Sequence, residues 1–231
     1  MSKSYSGYIS AGGKGTRLLP VTSKIPKPLV KINDKTLIEL WLEQFSKNDI
    51  NKVYVSVEHM KEQIISHLEE IKPRYSVNIS YIIEDQPMGT GGSIYRVFDE
   101  NEDCENLIIV MADVVCQGVV SDMKKKFDTI NSGLLLVNRT VEIQVPFGVV
   151  NQSSEEDFIL EKPIERYLIN SGLYVLNKEI KKYFTPGEPI GIPDIVNKVH
   201  TEQEVKTMNI DHLSWFDVGN PEDLHKVRNL F

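Results

Sequence analysis

The sequence predicts an α/β fold, a Rossmann-like three-layer α/β/α sandwich around a mixed, mainly parallel central sheet. Three observations carry that expectation. Strand-like apolar runs alternate with helix-like stretches through the first half of the 231 residues, the rhythm of βαβ units. A glycine-rich loop follows the first of those runs, where an open α/β sheet holds its ligands. In the second half short strands crowd together before any helix returns, giving a mixed sheet with a lobe over its edge.

Residues 5–10 read as the first strand, followed by a loop at 11–35. Residues 36–48 set Leu37, Leu40, Trp41 and Phe45 near one helical face, with Thr36 and Glu39 spaced as a capping box. A strand at 52–57, a helix at 61–71 and a strand at 78–83 come next. A helix then follows Gly92, and the apolar run 107–112 suits a buried central strand. Short strands are expected at 133–137, 147–150, 158–160 and 169–176, and helices near 193–200 and 221–230. No linker, low-complexity tract or repeat divides the chain, so one domain with two functional halves is expected.

Composition narrows the chemistry. With 41% hydrophobic residues and two cysteines, a chain of this length fills a core without disulfide staples. The longest apolar run, 107–112, falls far short of the roughly 20 residues of a bilayer span, so no membrane segment is expected. The first residues lack the apolar core of a secretory signal, which predicts a cytoplasmic protein with Cys104 and Cys116 reduced. Neither cysteine has metal-ligand spacing, and the −7 net charge argues against a nucleic-acid partner. That charge is unevenly spread. Residues 1–33 carry Lys3, Lys14, Arg17, Lys24, Lys27 and Lys31 and no acid, leaving −13 on the remainder. A basic segment interleaved with glycine and proline is suited to an anion; a solvated basic surface is the plainer alternative.

Ala11, Gly12, Gly13, Lys14, Gly15, Thr16 and Arg17 follow the first strand. Glycines at that place let backbone N–H groups approach phosphate with no Cβ in the way. A Walker loop would need Ser or Thr after Gly-Lys, and the dinucleotide pattern meets Leu18 where its last glycine belongs, so neither motif is present. Pro20, Pro26 and Pro28 oppose a helix and predict an extended loop from which Lys24 and Lys27 swing back toward the glycines. Arg17 offers a planar fork and each lysine a point charge, a set that suits a triphosphate. Asp113 ends the most apolar strand, where a carboxylate can ligate Mg2+ or cap a turn, and Asp217 ends another short strand. Glu84 follows the strand at 78–83. Its carboxylate only accepts hydrogen bonds, which suits the adjacent N1–H and N2–H donors of guanine, with cytosine or uracil left open.

Taken in order, residues 12–18 (GGKGTRL), 26–29 (PKPL), 84–92 (EDQPMGTGG), 111–113 (MAD), 147–150 (FGVV), 161–163 (EKP), 169–172 (INSG) and 215–219 (WFDVG) resemble the signature set of sugar-1-phosphate nucleotidyltransferases. The resemblance is nearest to mannose- and heptose-1-phosphate guanylyltransferases. It implies the nucleotide-diphospho-sugar transferase fold in a single 1–231 domain, with a nucleotide-binding half about 1–130 and a sugar-phosphate half about 131–231. It implies catalytic roles for Arg17, Lys27, Asp113 and Asp217, the two acids holding Mg2+. Nucleotide contacts are implied for residues 11–16 and for Glu84, Pro87, Gly89 and Thr90. Sugar-phosphate contacts are implied for Gly148, Glu161, Lys162 and Asn170. The expected reaction joins a nucleoside triphosphate, GTP favoured, to a manno-configured hexose or heptose 1-phosphate, releasing pyrophosphate. The alternatives are transfer of a cytidylyl or uridylyl group to another sugar phosphate or phospho-compound, and a non-catalytic nucleotide-sugar-binding sensor. A glycosyltransferase usually needs a D-x-D pair, which Asp113-Val114-Val115 lacks. A homo-oligomer is left open. Ser10, Ala112 and Ser171 depart from the usual pattern, but all are small enough for close backbone approach.

Overall fold

The computed structural model describes residues 3–84, 86–152 and 158–230; Asp85 of the 84–92 string lies outside the described residues. A seven-stranded sheet forms the middle layer, in the order β12-β8-β11-β6-β1-β4-β5. Its strands are β1 (Ser6–Ser10), β4 (Lys52–Val57), β5 (Asn78–Ile83), β6 (Asn106–Met111), β8 (Leu134–Gln144), β11 (Ile164–Asn177) and β12 (Lys206–Asn209). β1, β4, β5 and β6 pair in parallel, β12 pairs in parallel with β8, and β11 runs antiparallel to both its neighbours. One reversed strand therefore makes the sheet mixed and mainly parallel, as expected.

The alternation of side chains along each strand feeds two cores. On one face Ile9, Val53, Val55, Ile108 and Val110 pack against helices α1 (Leu37–Lys47), α2 (Lys61–Ile71) and α4 (Val119–Thr129). On the other, Tyr8, Tyr54, Leu107 and Ile109 meet α3 (Gly89–Glu100) and α5 (Ile192–Glu202). α1 begins as the sequence foretells, with Glu39 Oε2 accepting the Thr36 N–H at 2.8 Å and Thr36 Oγ1 accepting the Glu39 N–H at 3.4 Å. Among the described residues no helix is long and apolar enough to cross a membrane. Cys104 and Cys116 are free and buried, and burial pushes their thiols up to about 11 and about 12.

A third, smaller cluster matters most for the site. Leu18 and Val30 of the glycine-loop segment pack with Leu37 and Leu40, with Val115 of β7 (Val114–Cys116), and with Val218, Leu224 and Val227 beside α6 (Pro221–Leu230). The cluster clamps the loop to strands distant in sequence. Two small pairings complete the fold nearby: β2 (Lys31–Ile32) with β3 (Lys35–Thr36), and β7 with β13 (Trp215–Asp217). A hairpin of β9 (Gly148–Val150) and β10 (Ile159–Glu161) stands apart from the main sheet.

Three expectations need correction. The loop at 11–35 is not extended: Thr16–Leu18, Val21–Ser23 and Lys27–Leu29 each form a 3₁₀ turn. Proline permits this because in a first turn its missing N–H has no partner to lose. The helix expected after Gly92 starts earlier, at Gly89, because its glycines pack on a neighbouring backbone and do not break it. The strands expected at 133–137 and 169–176 extend into a long two-stranded ribbon, β8 with β11, through the pairing Ile164↔Gln144.

Candidate active site

β1 and β6 lie side by side, Ser10↔Met111, so the glycine loop and Asp113 leave the same edge of the sheet. A cleft of about 180 Å³ opens there, lined by Ser10, Ala11, Gly13, Lys27, Pro28, Met111, Ala112 and Asp113. Gly15 turns the loop with φ +63°, and Thr22 Oγ1 donates to its carbonyl at 2.8 Å. A Cβ on Gly15 would sit 3.1 Å from Lys27 Cβ, so glycine lets the loop close down on Lys27. Lys14, Thr16, Arg17 and Lys24 are exposed.

Lys27 is only 7% exposed, and its ammonium donates to Asp113 Oδ2 at 2.6 Å. A buried lysine needs such a partner. Asp113 and Asp217 are drawn together by the β7–β13 pairing, Asp217↔Val114, and by the Val218 N–H donating to the Asp113 carbonyl at 2.9 Å. Burial, and then the neighbouring charge of Asp113, hold the Asp217 carboxyl above the usual aspartate range, with Lys27 and Arg17 opposing. Arg17, well exposed, stands 3.9 Å from the half-buried Asp217. The basic segment and the two distant acids thus converge on one sheet edge.

Other side chains hold this edge in place. Trp41 Nε1 donates to the Met111 carbonyl at 3.1 Å and Gln44 Nε2 to the Cys116 carbonyl at 3.0 Å, bracketing Asp113 from α1. Arg139 donates to the Trp215 carbonyl at 2.9 Å with its guanidinium 5.0 Å over the Trp215 ring, bracketing Asp217. Trp215 Nε1 in turn donates to the Ser171 carbonyl at 3.0 Å. Sequence reasoning did not single out these positioning residues for the site; amphipathic spacing marks Trp41 only as core.

At the neighbouring strand ends, Ser10↔Ser56 and Ser56↔Ile82 are register partners, so two residues further on Gly12, Glu58 and Glu84 stand in a row. A Cβ on Gly12 would lie 3.3 Å from Glu58 Cβ and 3.7 Å from Glu58 Oε2. The Glu84 carboxylate accepts the Met88 N–H at 3.2 Å; burial raises its pKa, and Glu58 adds to the shift. Glu58 was missed in the sequence, where it is one acid among many; strand register is the signal that finds it. Pro87 is exposed. Gly89, at φ +65°, and Gly91 back onto Ile190, whose carbonyl oxygen would be 2.5 Å from a Cβ on Gly89, and Thr90 Oγ1 accepts the Ile192 N–H at 3.1 Å. These residues of the 84–92 string join α3 to the entry of α5.

The remaining candidates lie in the second half. Glu161 and Gly148 are cross-strand partners, with Glu161 Oε2 3.1 Å from where a Cβ on Gly148 would be. Lys162 is exposed at φ +48°, its N–H donating to the Phe147 carbonyl at 3.2 Å. Asn170 sits at a bulge in β11: its Oδ1 accepts the Gly172 N–H at 3.0 Å and its Nδ2 donates to the Tyr174 hydroxyl. A Cβ on Gly172, φ +78°, would lie 3.1 Å from Met111 Cγ, so the bulge packs at the end of the strand that leads into Asp113.

Among the described residues no group of three or more Asp, Glu, His or Cys side chains converges as a metal cage. Asp113 and Asp217 nonetheless fit a hard divalent cation: two close carboxylates, one held above its usual range, offer oxygen ligands that substrate phosphates can complete.

A mainly parallel sheet with a glycine loop, a buried lysine and two acids at one edge defines a protein of the nucleotide-diphospho-sugar transferase fold. HddC from Yersinia pseudotuberculosis superposes with a TM-score of 0.74 at 26% identity, over 98% of this chain and 99% of that one. The nucleotidyl transferase family pattern matches residues 6–231, and the chain belongs to that family. It is 27% identical over 222 residues to mannose-1-phosphate guanyltransferase of Schizosaccharomyces pombe, covering 93% of this chain and 61% of that protein. It is 30% identical over 231 residues to mannose-1-phosphate guanylyltransferase catalytic subunit beta of Dictyostelium discoideum, covering 96% and 63%. The chain thus spans about three-fifths of the length of these curated relatives.

Proposed function

We propose that the protein transfers a nucleotidyl group from a nucleoside triphosphate to a sugar 1-phosphate, with GTP and a manno-configured hexose or heptose 1-phosphate as the favoured pair. The observation that carries this reading is the convergence of the glycine loop, Lys27 and Asp113 around one cleft, with Asp217 brought up beside Asp113 by the β7–β13 pairing. The printed names of the relatives support the choice of base and sugar.

In this reading the glycine-loop N–H groups and Arg17 hold the triphosphate, and Glu84, with Glu58 beside it, accepts from the edge of the base. Lys162 holds the sugar phosphate by its charge, while Glu161, Asn170 and the Gly148 backbone meet the hydroxyls. A phosphate oxygen of the sugar then attacks the α-phosphorus in line. The bond to the β-phosphate breaks, its electrons leave with pyrophosphate, and no enzyme-bound intermediate is needed. Lys27 lines the same cleft as the glycines, so its ammonium, held in place by Asp113, is positioned to offset the charge that accumulates on the leaving phosphates. Mg2+ held by Asp113 and Asp217 would supply Lewis-acid stabilisation of the α-phosphate oxygens. The protein's own contribution is to align two anions that repel one another and to offset their charge. We place the reaction in the cytoplasm, where buried free thiols stay reduced.

The test is pyrophosphate release from each of the five common nucleoside triphosphates with a panel of sugar 1-phosphates and Mg2+. Release with GTP and mannose or heptose 1-phosphate is expected. A preference for CTP or UTP would overturn the base assignment, and no release with any pair would leave a nucleotide-sugar sensor.

A further inference from the structure

Behind Glu84 the core carries a line of buried hydroxyls that the proposed reaction leaves unused. Tyr8 of β1 is 0% exposed, Ser93 of α3 1% and Ser56 of β4 2%. The Tyr8 hydroxyl lies 2.6 Å from Ser93 Oγ, and Ser56 bonds the Tyr8 hydroxyl from the next strand. Ser93 in turn bonds the Glu84 carboxylate, which also accepts the Met88 N–H at 3.2 Å. Tyr8 packs in the cluster that holds Ile82, Ile94, Leu107 and Ile109, so the line runs through apolar surroundings.

The direction of these bonds follows from where the line ends. An ionised carboxylate only accepts, so the Ser93 hydroxyl donates to Glu84 and accepts from Tyr8. Burial pushes the Tyr8 hydroxyl well above the ordinary tyrosine range, so it stays protonated and keeps its place as a donor. Tyr8 then accepts from Ser56. Bonds aligned head to tail polarise one another, and all of these point at one carboxylate.

Stability alone does not require such a line. Buried hydroxyls have to be satisfied, whereas phenylalanine and alanine in the same space need no partner and can be nearly neutral. What the line supplies is a polarised donor to Glu84. Burial raises the pKa of that carboxyl, the Met88 N–H and Ser93 lower it, Glu58 at the end of β4 raises it, and Arg96 of α3 lowers it. A protonated Glu84 would turn an O–H toward the base and lose one of the acceptors that the N1–H and N2–H of guanine need. We infer that Tyr8, Ser56 and Ser93 are positioning residues for base choice, which rests on the assignment of Glu84 to the base: they hold its carboxylate in place as an acceptor-only partner for guanine.

A double-mutant cycle tests this, read as kcat/KM for GTP by pyrophosphate release. Ser93→Ala is expected to lower it roughly 10-fold or more, the value of one hydrogen bond to a charged group, mainly through KM. Tyr8→Phe, acting through Ser93, should lower it less, and both should move the acid limb of the pH profile upward. In a Glu84→Gln background, where nothing ionises, the same two changes should have almost no effect. Equal losses in both backgrounds are what a merely structural role gives, and they overturn the inference. Carboxyl-carbon NMR on the nucleotide-free chain needs no turnover: Glu84 should titrate higher in both variants than in the wild type, and an unchanged titration also overturns it. The underlying reading fails separately. A wild type that prefers CTP or UTP defeats the guanine assignment, and the base choice inferred from it, before any variant is made; a wild type that prefers GTP but shows no coupling defeats this inference alone.

Discussion

The two ends of the proposed site are built differently. At the triphosphate end Lys27 is buried, its ammonium already bonded to Asp113, and Leu18 and Val30 are packed under the loop against Val115 and Val218. At the sugar end Gly148, Glu161, Lys162 and Asn170 are exposed, on a hairpin and a ribbon whose sides lack cover. Preformed charge lowers a barrier without reorganisation, whereas exposed groups must be ordered by what they bind. In the proposed reaction this difference would give transition-state work to the first end and recognition to the second.

The largest test of that division is Lys27→Met, expected to lower kcat by about 10²–10³ with little change in KM for the sugar phosphate, measured by pyrophosphate release. A variant at wild-type turnover would put the preformed end outside the chemistry. Lys162→Ala should do the converse, raising KM for the sugar phosphate by roughly 10- to 100-fold, the value of one charge-assisted hydrogen bond, with kcat falling far less. Gly89→Ala probes rigidity around the proposed base site. A Cβ there meets the Ile190 carbonyl at 2.5 Å on a backbone at φ +65°, so about 1–3 kcal/mol of stability should go, roughly 3–10 °C in Tm by calorimetry.

The smallest effect concerns pH. The Asp217 carboxyl titrates higher in the folded chain than in the unfolded one, mainly through burial. When ionised it therefore opposes folding, an effect absent at low pH, growing as pH rises and complete above the folded value. Asp217→Asn should then melt slightly above wild type at pH 7. The gap should narrow as pH falls toward the ordinary aspartate value of 3.8, although turnover is lost at every pH. A gap that widens toward acid would reverse the sign.

What the sequence disclosed follows from what is local in it. The helix at Lys61–Ile71 and the strands at Lys52–Val57 and Asn78–Ile83 match their apolar periods residue for residue, because each buries one face or both. α4 was missed although Val119, Val120, Met123 and Phe127 mark a buried face; its charged segment DMKKK hides that face. The ribbon ends of β8 and β11 gave no pattern because neither face is covered. Within the site, Asp113 and Asp217 were legible as acids at strand ends. Their meeting rests on two three-residue strands too short to declare a partner. Glu58 became visible only when β1 and β4 were laid in register with Gly12 beside it.

The β7–β13 pairing gives catalysis a place in the life of the chain. Residues 113 and 217 sit far apart in the order of synthesis, and such long-range closures come late in folding. A nascent polypeptide that has finished its sheet but not yet added its final strand owns the glycine loop, the proposed phosphate cradle, and only one of the two acids. If the two acids act as proposed, competence would be gained in the last stage of assembly, and recovery of turnover after denaturation should trail the return of helical signal.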